Sequence, residues 1–107
     1  MVEEEIIEIM KKFKKAIEEK GIRVKKIILY GSQAARKSHK DSDIDVAVVS
    51  PDFGKDRFEE GAMLFEIASE IDPRIEPVPL SPSSYENDTW VPLIYEIREK
   101  GVELKDL

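Results

Sequence analysis

The sequence predicts an α/β (α+β) fold in which a small mixed β-sheet is flanked by helices. An amphipathic helical repeat opens the chain, two short apolar runs typical of buried strands follow, and helical and strand-like segments then alternate to the end. The chain has 107 residues, 41% of them hydrophobic, and shows no internal repeat. This length supports one hydrophobic core but not two, so we expect residues 1–107 to form a single domain.

The first predicted elements are a helix and two strands. Apolar residues from Val2 to Ile17 recur at spacings of three and four, and Gly21 follows as a C-terminal stop. The apolar runs at 26–30 and 44–49 are short, and each is followed by residues that favour turns. Both runs are therefore predicted to be buried strands.

The second half begins with a helix that is predicted to end at Asp72, because the proline after it disfavours helical geometry in the preceding residue. The apolar positions of this helix, which we expect to face the core, are Phe58, Ala62, Leu64, Phe65, Ala68 and Ile71. Residues 74–80 are predicted to form a strand at the edge of the sheet, since Pro77 and Pro79 cannot donate ladder hydrogen bonds.

The last part of the chain is predicted to contain a loop and one more helix. Residues 81–89, SPSSYENDT, are rich in residues that favour turns, and they are predicted to be the loop. The apolar face of the final helix, which Gly101 would close, consists of Trp90, Leu93, Ile94 and Ile97.

The charge balance disfavours extended binding of nucleic acid. The net charge is −6, and a surface that is acidic overall repels a phosphate backbone. Arg23, Lys25 and Lys26 are the residues that could form a local basic patch. Nucleic acid is therefore not the expected partner.

We expect the protein to be cytoplasmic. No segment reaches the roughly 18 to 20 consecutive apolar residues of a membrane span, and the acidic start of the chain differs from the basic start of a signal peptide. The chain lacks cysteine, so any metal must be held by oxygen ligands or by His39. Charged residues make up 37% of the chain, with one glutamine and one asparagine, which is a bias typical of heat-adapted proteins.

Two aspartates stand at the start of the second predicted strand. Because side chains alternate along a strand, Asp43 and Asp45 would project to one side, and Ile44, Val46 and Val48 to the other, into the core. Two carboxylates this close repel each other unless they share a cation. Mg²⁺ prefers hard oxygen ligands and keeps coordination positions for water and substrate phosphates, so the pair predicts a Mg²⁺ site.

A Gly-Ser pair follows the first predicted strand. Gly31 lets the backbone approach a ligand closely, and Ser32 offers a hydroxyl and an N–H group at the start of a predicted helical turn, residues 33–36, where anions are favoured. Phosphate binding at this pair, beside a metal at the aspartates, is the arrangement expected for a bound nucleoside triphosphate.

Other known motifs fit these residues less well. The spacing of Asp41 and the two aspartates after it resembles the start of a calcium loop, but that loop needs Gly and Glu where this chain has Val46 and Asp52. No Gly-Lys-Ser/Thr follows Gly31, as a P-loop requires, and a dinucleotide fingerprint needs further glycines. The alternative that stays open is an ordinary polar turn, with Asp45 exposed to solvent.

Taken together, these motifs resemble the signature of the DNA polymerase beta-like nucleotidyltransferase superfamily. The signature here is Gly31-Ser32, ten further residues and then Asp43-x-Asp45, set between two apolar strands. The helix leading into LYGS is similar to that of the minimal nucleotidyltransferases, and the resemblance extends from about residue 5 to residue 101. It implies the nucleotidyltransferase fold and transfer of a nucleoside monophosphate from ATP or another nucleoside triphosphate.

The resemblance also implies a role for each residue of the motif. Asp43 and Asp45 would hold two Mg²⁺ ions, and Glu76, at the position of the family's third carboxylate, would complete the second site and help to remove the proton of an acceptor hydroxyl. Gly31 and Ser32 would anchor the β- and γ-phosphates.

Two positions depart from the family's pattern. Arg36 stands where members commonly have Gly, and Glu76 stands where Asp is more usual, which could move the second metal by about the 1 Å that matters for catalysis. Two functions therefore stay open. One is a nucleotidyltransferase that depends on ATP and Mg²⁺, and the other is a catalytically weak module that neutralises a partner by contact.

The resemblance further implies a partner protein. Minimal members frequently pair with a small helical protein of the HEPN type, often as the antitoxin of that toxin. The candidate contact residues are Tyr85 and Trp90, although either aromatic side chain could instead belong to the core. The lone histidine, His39, is either solvated or a phosphate contact.

Overall fold

The computed structural model describes residues 2–34 and 42–107. The described residues form four helices and four strands. In chain order they are α1 (Glu4–Glu19), β1 (Lys26–Tyr30), β2 (Ile44–Val49), α2 (Arg57–Ile71), β3 (Ile75–Leu80), α3 (Pro82–Asn87), α4 (Pro92–Lys100) and β4 (Val102–Glu103).

The strands form one mixed sheet in the order β3-β2-β1-β4. Strand β1 runs antiparallel to β2 and β4, whereas β2 runs parallel to β3. The predicted fold class is therefore confirmed, and the bounds of β1 and β2 agree with the two apolar runs. Strand β3 lies at the edge, as its two prolines predict.

The sheet divides the apolar interior into two clusters instead of the single core that the sequence suggests. Helices α1 and α2 cover one face, where they pack on the side chains of Ile44, Val46 and Val48. Helix α4 covers the other face, where Ile94 and Ile97 pack on a second set of strand residues. Those strand residues are Ile28, Tyr30, Ala47, Val49 and Leu80.

Helix α1 is amphipathic, as predicted. Its buried side chains recur at spacings of three and four, and they are Ile6, Met10, Phe13 and Ile17. The helix ends where Gly21 adopts a φ of 84°, and the Gly21 N–H donates a hydrogen bond to the carbonyl of Glu18 over 2.9 Å.

The predicted core face of α2 is partly wrong. The side chain of Asp56 caps the helix by accepting a hydrogen bond from the N–H of Glu59. Leu64, Ile67 and Ala68 are buried, but Phe58 is 86% exposed and Phe65 is 55% exposed. The error has a physical cause. Helix α2 has apolar residues on two sides, and periodicity alone does not show which side meets the sheet.

Two elements in the last third were not predicted. Residues Pro82–Asn87 form helix α3, where a loop was expected, and the Ser81 hydroxyl caps it by accepting a hydrogen bond from the N–H of Ser84. Strand β4 has only two residues and depends on its pairing with Ile28 and Leu29 of β1. So short a strand carries no periodic signal of its own.

The final helix buries fewer aromatic side chains than expected. Ile94 and Ile97 face the core, but Trp90 precedes α4 and is 79% exposed. Tyr85 is half-buried, and its ring lies 5.3 Å from the Lys26 ammonium and 5.3 Å from the Arg98 guanidinium. Of the two candidate contact residues, Trp90 is thus the one that faces solvent.

The suggested basic patch is largely neutralised. Arg23 forms an ion pair with Asp52 over 2.8 Å, and Lys26 lies 3.5 Å from the carboxylate of Glu103. Within the described part of the chain, no helix combines the length and apolar character needed to cross a membrane.

Candidate active site

Three polar side chains lie side by side on β1, β2 and β3, near one end of these strands. The strand register pairs Tyr30 with Asp45, and it pairs Asp45 with Glu76. Residues paired in this way project to the same face of a sheet. Asp45 and Glu76 therefore share a face, and that face is the one covered by α4, because Ile44 and Val46 enter the opposite cluster.

Asp43 lies just before β2 and is exposed. Its backbone carbonyl accepts a hydrogen bond of 3.4 Å from the side-chain amide of Gln33, which is only 8% exposed. This bond ties the turn after β1 to the start of β2. The Gly-Ser turn and the aspartate pair therefore lie next to each other, although ten residues separate them in the sequence.

The carboxylate of Asp45 occupies the space that a side chain at position 31 would need. A Cβ at this position would come within 2.5 Å of Asp45 Oδ2, and the φ of Gly31 is 68°, in the left-handed region that favours glycine. The glycine is thus required twice, once for its conformation and once for the close approach. Its backbone and the carboxylate line one site.

Ser32 is half-buried in the turn formed by residues 31–34. Residues 35 and 36 of the predicted helical turn at 33–36 lie outside the described residues. Arg36, His39 and Asp41 lie outside them as well, so their proposed roles stay predictions.

The electrostatics of the site are those of crowded acidic groups. Burial raises the pKa of Asp45, and the nearby carboxylates of Asp43, Glu76 and Glu96 raise it further. Burial, followed by the same kind of acidic neighbours, raises the pKa of Tyr30 to about 12. Tyr30 is therefore a neutral phenol at physiological pH. The charged form of the Asp45 carboxylate beside it is destabilised by its surroundings.

Glu96 is the acidic neighbour that sequence reasoning missed. It lies on α4, next to Ile97, whose side chain packs on the same face of the sheet as Tyr30. The helical pattern of α4 marks Glu96 only as a polar position. Its closeness to Asp45 depends on how the helix sits on the sheet, which no local motif encodes.

The predicted metal ligands do not form a compact trio within the described part of the chain. Among residues 2–34 and 42–107, no three histidine, aspartate or glutamate side chains are gathered closely enough to hold a metal ion together. The chemistry of the donors nevertheless fits Mg²⁺, because Asp43, Asp45 and Glu76 offer hard oxygen ligands, and the charged groups of the described residues that act on the pKa of Asp45 are all acidic.

The chain belongs to the nucleotidyltransferase domain family, whose model matches residues 10–103. The family predicted from the Gly-Ser and Asp-x-Asp motifs is confirmed, and the protein is a nucleotidyltransferase. Solved structures share its fold. One is a crystal structure of a toxin–antitoxin with AMP-PNP, at 24% identity, covering 91% of this chain and 73% of that chain with a TM-score of 0.60.

Two further structures are similar. A crystal structure of a nucleotidyltransferase from Sulfolobus solfataricus is 19% identical, and the match covers 91% of this chain and 79% of that chain with a TM-score of 0.61. A mutant of the toxin–antitoxin MntA-HpeT, with two aspartates changed to glutamate, is 23% identical, with 87% and 69% of the two chains covered and a TM-score of 0.55. At these identities the likeness shows the fold. The comparison with curated proteins gave no match.

Proposed function

We propose that this nucleotidyltransferase transfers AMP from ATP to a hydroxyl group of a partner protein, in a reaction that depends on Mg²⁺. The observation that carries the proposal is the contact between Gly31 and the Asp45 carboxylate, with Glu76 beside Asp45 in the next strand. An anion-binding turn and acidic side chains are the two parts that a bound metal–triphosphate complex needs.

Each residue has a defined role in the proposed reaction. Gly31 and Ser32 bind the β- and γ-phosphates through N–H and hydroxyl groups, and Asp43, Asp45 and Glu76 would hold the Mg²⁺ ions. When bound, Mg²⁺ supplies positive charge that offsets the charge of the triphosphate. The acceptor oxygen forms a bond to the α-phosphorus, and the bond from that phosphorus to the departing pyrophosphate breaks. The acceptor proton passes to the carboxylate of Glu76 and then to water.

The proposed partner is a small helical toxin of the HEPN type, with this chain as its antitoxin. Two of the solved structures that share the fold are of toxin–antitoxins, one of them with the nucleotide analogue AMP-PNP. The two aspartates altered in the MntA-HpeT mutant are two positions apart, as Asp43 and Asp45 are. These likenesses support the partner and the nucleotide that we propose for this chain.

We also propose that residues 1–107 act as a single domain in the cytoplasm of a heat-adapted organism. The absence of cysteine and the bias towards charged residues support this setting. Thermal unfolding followed by circular dichroism should give one cooperative transition above the range of about 45–65 °C that is usual for mesophilic domains. Two separate transitions, or one within that range, would contradict it.

The reaction can be tested with the protein encoded by the adjacent gene. The two proteins are co-expressed and purified together, ATP and Mg²⁺ are added, and intact masses are measured. We expect the partner to gain the mass of one or more AMP units, and we expect no gain with Asp45→Asn or with EDTA. Calorimetry of the isolated chain should give heat with ATP and Mg²⁺ together, and none with Asp43→Asn.

A second function, neutralisation by contact alone, is favoured by one observation. Within the described residues, the three predicted metal ligands do not form a ready-made metal site. If the co-purified partner is inhibited, its mass does not change and the isolated chain gives no heat with ATP and Mg²⁺, then contact is the mechanism and transfer of AMP is not.

A further inference from the structure

Helix α2 carries a second apolar face that points away from the core. Phe58 and Phe65 are exposed over 86% and 55% of their surface, and Ala62 between them is also exposed. Positions that differ by four and seven residues lie on one side of a helix, so these three side chains form a line. We call Phe58, Ala62 and Phe65 the α2 stripe.

The two phenylalanines of the α2 stripe differ in exposure from the other phenylalanines of the chain. The other two phenylalanines of the chain, Phe13 and Phe53, are 0% and 5% exposed, and α1 directs its apolar side chains inward. Phe58 has the highest exposure among the large apolar side chains of the described residues. A single exposed apolar residue is ordinary, but aromatic rings aligned on a rigid helix are typical of a binding surface.

The α2 stripe has an acidic border on one side. At about 100° per residue, Glu59, Glu66 and Glu70 lie in a row beside the stripe, and all three are exposed. The other border runs past Gly61, where an added Cβ would lie 4.0 Å from the Cδ atom of Pro79 in β3. The face is therefore apolar in the middle, acidic on one side and closed by the sheet edge on the other.

This charge pattern argues against a second copy of the same chain as the occupant. If two α2 helices met in an antiparallel, two-fold arrangement, the row of glutamates of one copy would face the same row of the other. Like charges held opposite each other are destabilising, and each copy already carries a net charge of −6. A basic partner removes this repulsion.

We propose that the α2 stripe binds an amphipathic helix of the partner protein, one with apolar side chains along one face and a row of lysines or arginines beside them. The apolar residues of that helix pack on Phe58 and Phe65, and its basic row faces Glu59, Glu66 and Glu70. This inference rests on the proposed function for the identity of the partner, and it assigns the surface where that partner docks.

The docking surface is separate from the candidate active site. Helix α2 covers the face of the sheet that receives Ile44 and Val46, whereas Asp45 and Glu76 project from the other face. Binding at the α2 stripe leaves the carboxylates open to nucleotide. A change in the stripe should therefore weaken partner binding and leave binding of ATP unchanged, so the two proposals can fail independently.

The test measures the affinity of the purified chain for the protein encoded by the adjacent gene, by calorimetry at two salt concentrations. We expect the double variant Phe58→Ser/Phe65→Ser to raise the Kd at least tenfold, and Tyr95→Ser, which removes an aromatic side chain of α4 that is 54% exposed, to leave it unchanged. We expect Glu66→Lys/Glu70→Lys to raise the Kd and to reduce its dependence on salt. The matched charge changes Glu86→Lys/Glu99→Lys should do neither.

Each other outcome overturns the inference. An unchanged Kd for the phenylalanine variant, with its thermal unfolding intact, removes the α2 stripe from the interface, as does a wild-type chain that does not bind the adjacent gene product. If the wild-type chain sediments as a dimer that Phe58→Ser/Phe65→Ser dissociates, the occupant is a second copy. Calorimetry with ATP and Mg²⁺ on the same variants tests the transferase separately, and its failure alone would leave the docking surface standing.

Discussion

The two faces of the central sheet have different tasks, and strand β2 serves both. On one face, Ile44, Val46 and Val48 are completely buried under α1 and α2. On the other face, the neighbouring Asp45 stands beside Glu76, and the carboxylate of Asp45 retains contact with solvent. A strand that alternates its side chains can thus anchor the fold and carry the site within six residues.

The difference between the faces follows from how the helices cover them. Helices α1 and α2 have 16 and 15 residues and close one face, whereas α4 has nine residues and packs through Ile94 and Ile97. Because α4 is the shorter helix, it leaves the row formed by Tyr30, Asp45 and Glu76 at the edge of the apolar cluster that contains Ile94 and Ile97. We call the face under α1 and α2 the closed face and the face under α4 the open face. Substitutions on the closed face should therefore change the stability of the fold, and substitutions in the polar row of the open face should change the rate of the reaction.

The largest effect is expected for Asp45→Asn. Loss of a charged group that stabilises the transition state removes several kcal/mol, which corresponds to a fall in the rate of AMP transfer of about 10³-fold. The fold should not suffer, because the charged form of Asp45 is disfavoured by burial and by its acidic neighbours. Transfer is measured by mass spectrometry of the partner, and the melting temperature in EDTA should equal or exceed that of the wild type. A variant that melts lower and retains transfer would reverse the roles assigned to the two faces.

The adjacent residue should give the opposite result. Ile44→Ala creates a cavity in the closed face and should lower the free energy of unfolding by about 2–5 kcal/mol, as measured by urea denaturation. Ile44→Val serves as the control and should lose only about 0.5–1.5 kcal/mol. Transfer by the folded fraction should stay within severalfold of the wild type. A loss of transfer as large as that of Asp45→Asn would mean that the closed face also governs the chemistry.

The closed face was only partly predictable from the sequence. The bounds of β1 and β2 follow from apolar runs that end at Gly31 and Ser50, and the inward side of β2 follows from alternation. The buried side of α2 does not follow, because the helix bears apolar residues on two sides. Which side meets the sheet is decided by packing between elements distant in the sequence, and Phe58 was wrongly placed inside.

The site residues on the open face were also only partly predictable from the sequence. Gly31, Asp43 and Asp45 were proposed from the spacing of the motif, and the hydrogen bond from Gln33 to the Asp43 carbonyl places the turn next to the start of β2. Glu76 was proposed from the resemblance to the family, with support from alternation along its strand. Glu96 was not found, since its closeness to Asp45 arises only when α4 docks on the sheet.

A smaller effect is expected from Gly31→Ala, which tests the contact between the turn and the carboxylate. Alanine at a φ of 68° is strained by about 1–2 kcal/mol, and its Cβ would displace the Asp45 carboxylate. Gly21→Ala is the matched control, because Gly21 has a φ of 84° and no atom lies within 4 Å of the added Cβ. Both variants should lose similar stability in urea, but only Gly31→Ala should weaken the binding of ATP and Mg²⁺ in calorimetry. Equal affinity for the nucleotide in both variants would show that the contact is not part of the site.

The smallest effect extends the comparison to a second aspartate, beyond the far end of β2. Asp52 accepts hydrogen bonds from the backbone and the guanidinium of Arg23, and these lower the pKa of Asp52 to about 2. An acid whose pKa is lower in the folded chain stabilises the fold above its unfolded pKa of about 3.9, and it loses that contribution as the pH falls towards 2. Asp45 has the opposite sign, because its pKa is raised in the folded chain and protonation relieves the fold.

The two aspartates should therefore show opposite dependence on pH when each is compared with its asparagine variant in EDTA. The melting temperature of Asp52→Asn should be below that of the wild type at pH 7, and the difference should shrink between about pH 4 and pH 2. For Asp45→Asn, the melting temperature of the wild type should rise relative to that of the variant as the pH falls through the raised pKa of Asp45. If the difference in melting temperature from the wild type changes with pH in the same direction for both variants, the acidic neighbours of Asp45 do not destabilise the fold. Opposite changes would show that they do, and that the effect acts through Asp45, the residue that the proposed Mg²⁺ ions would neutralise.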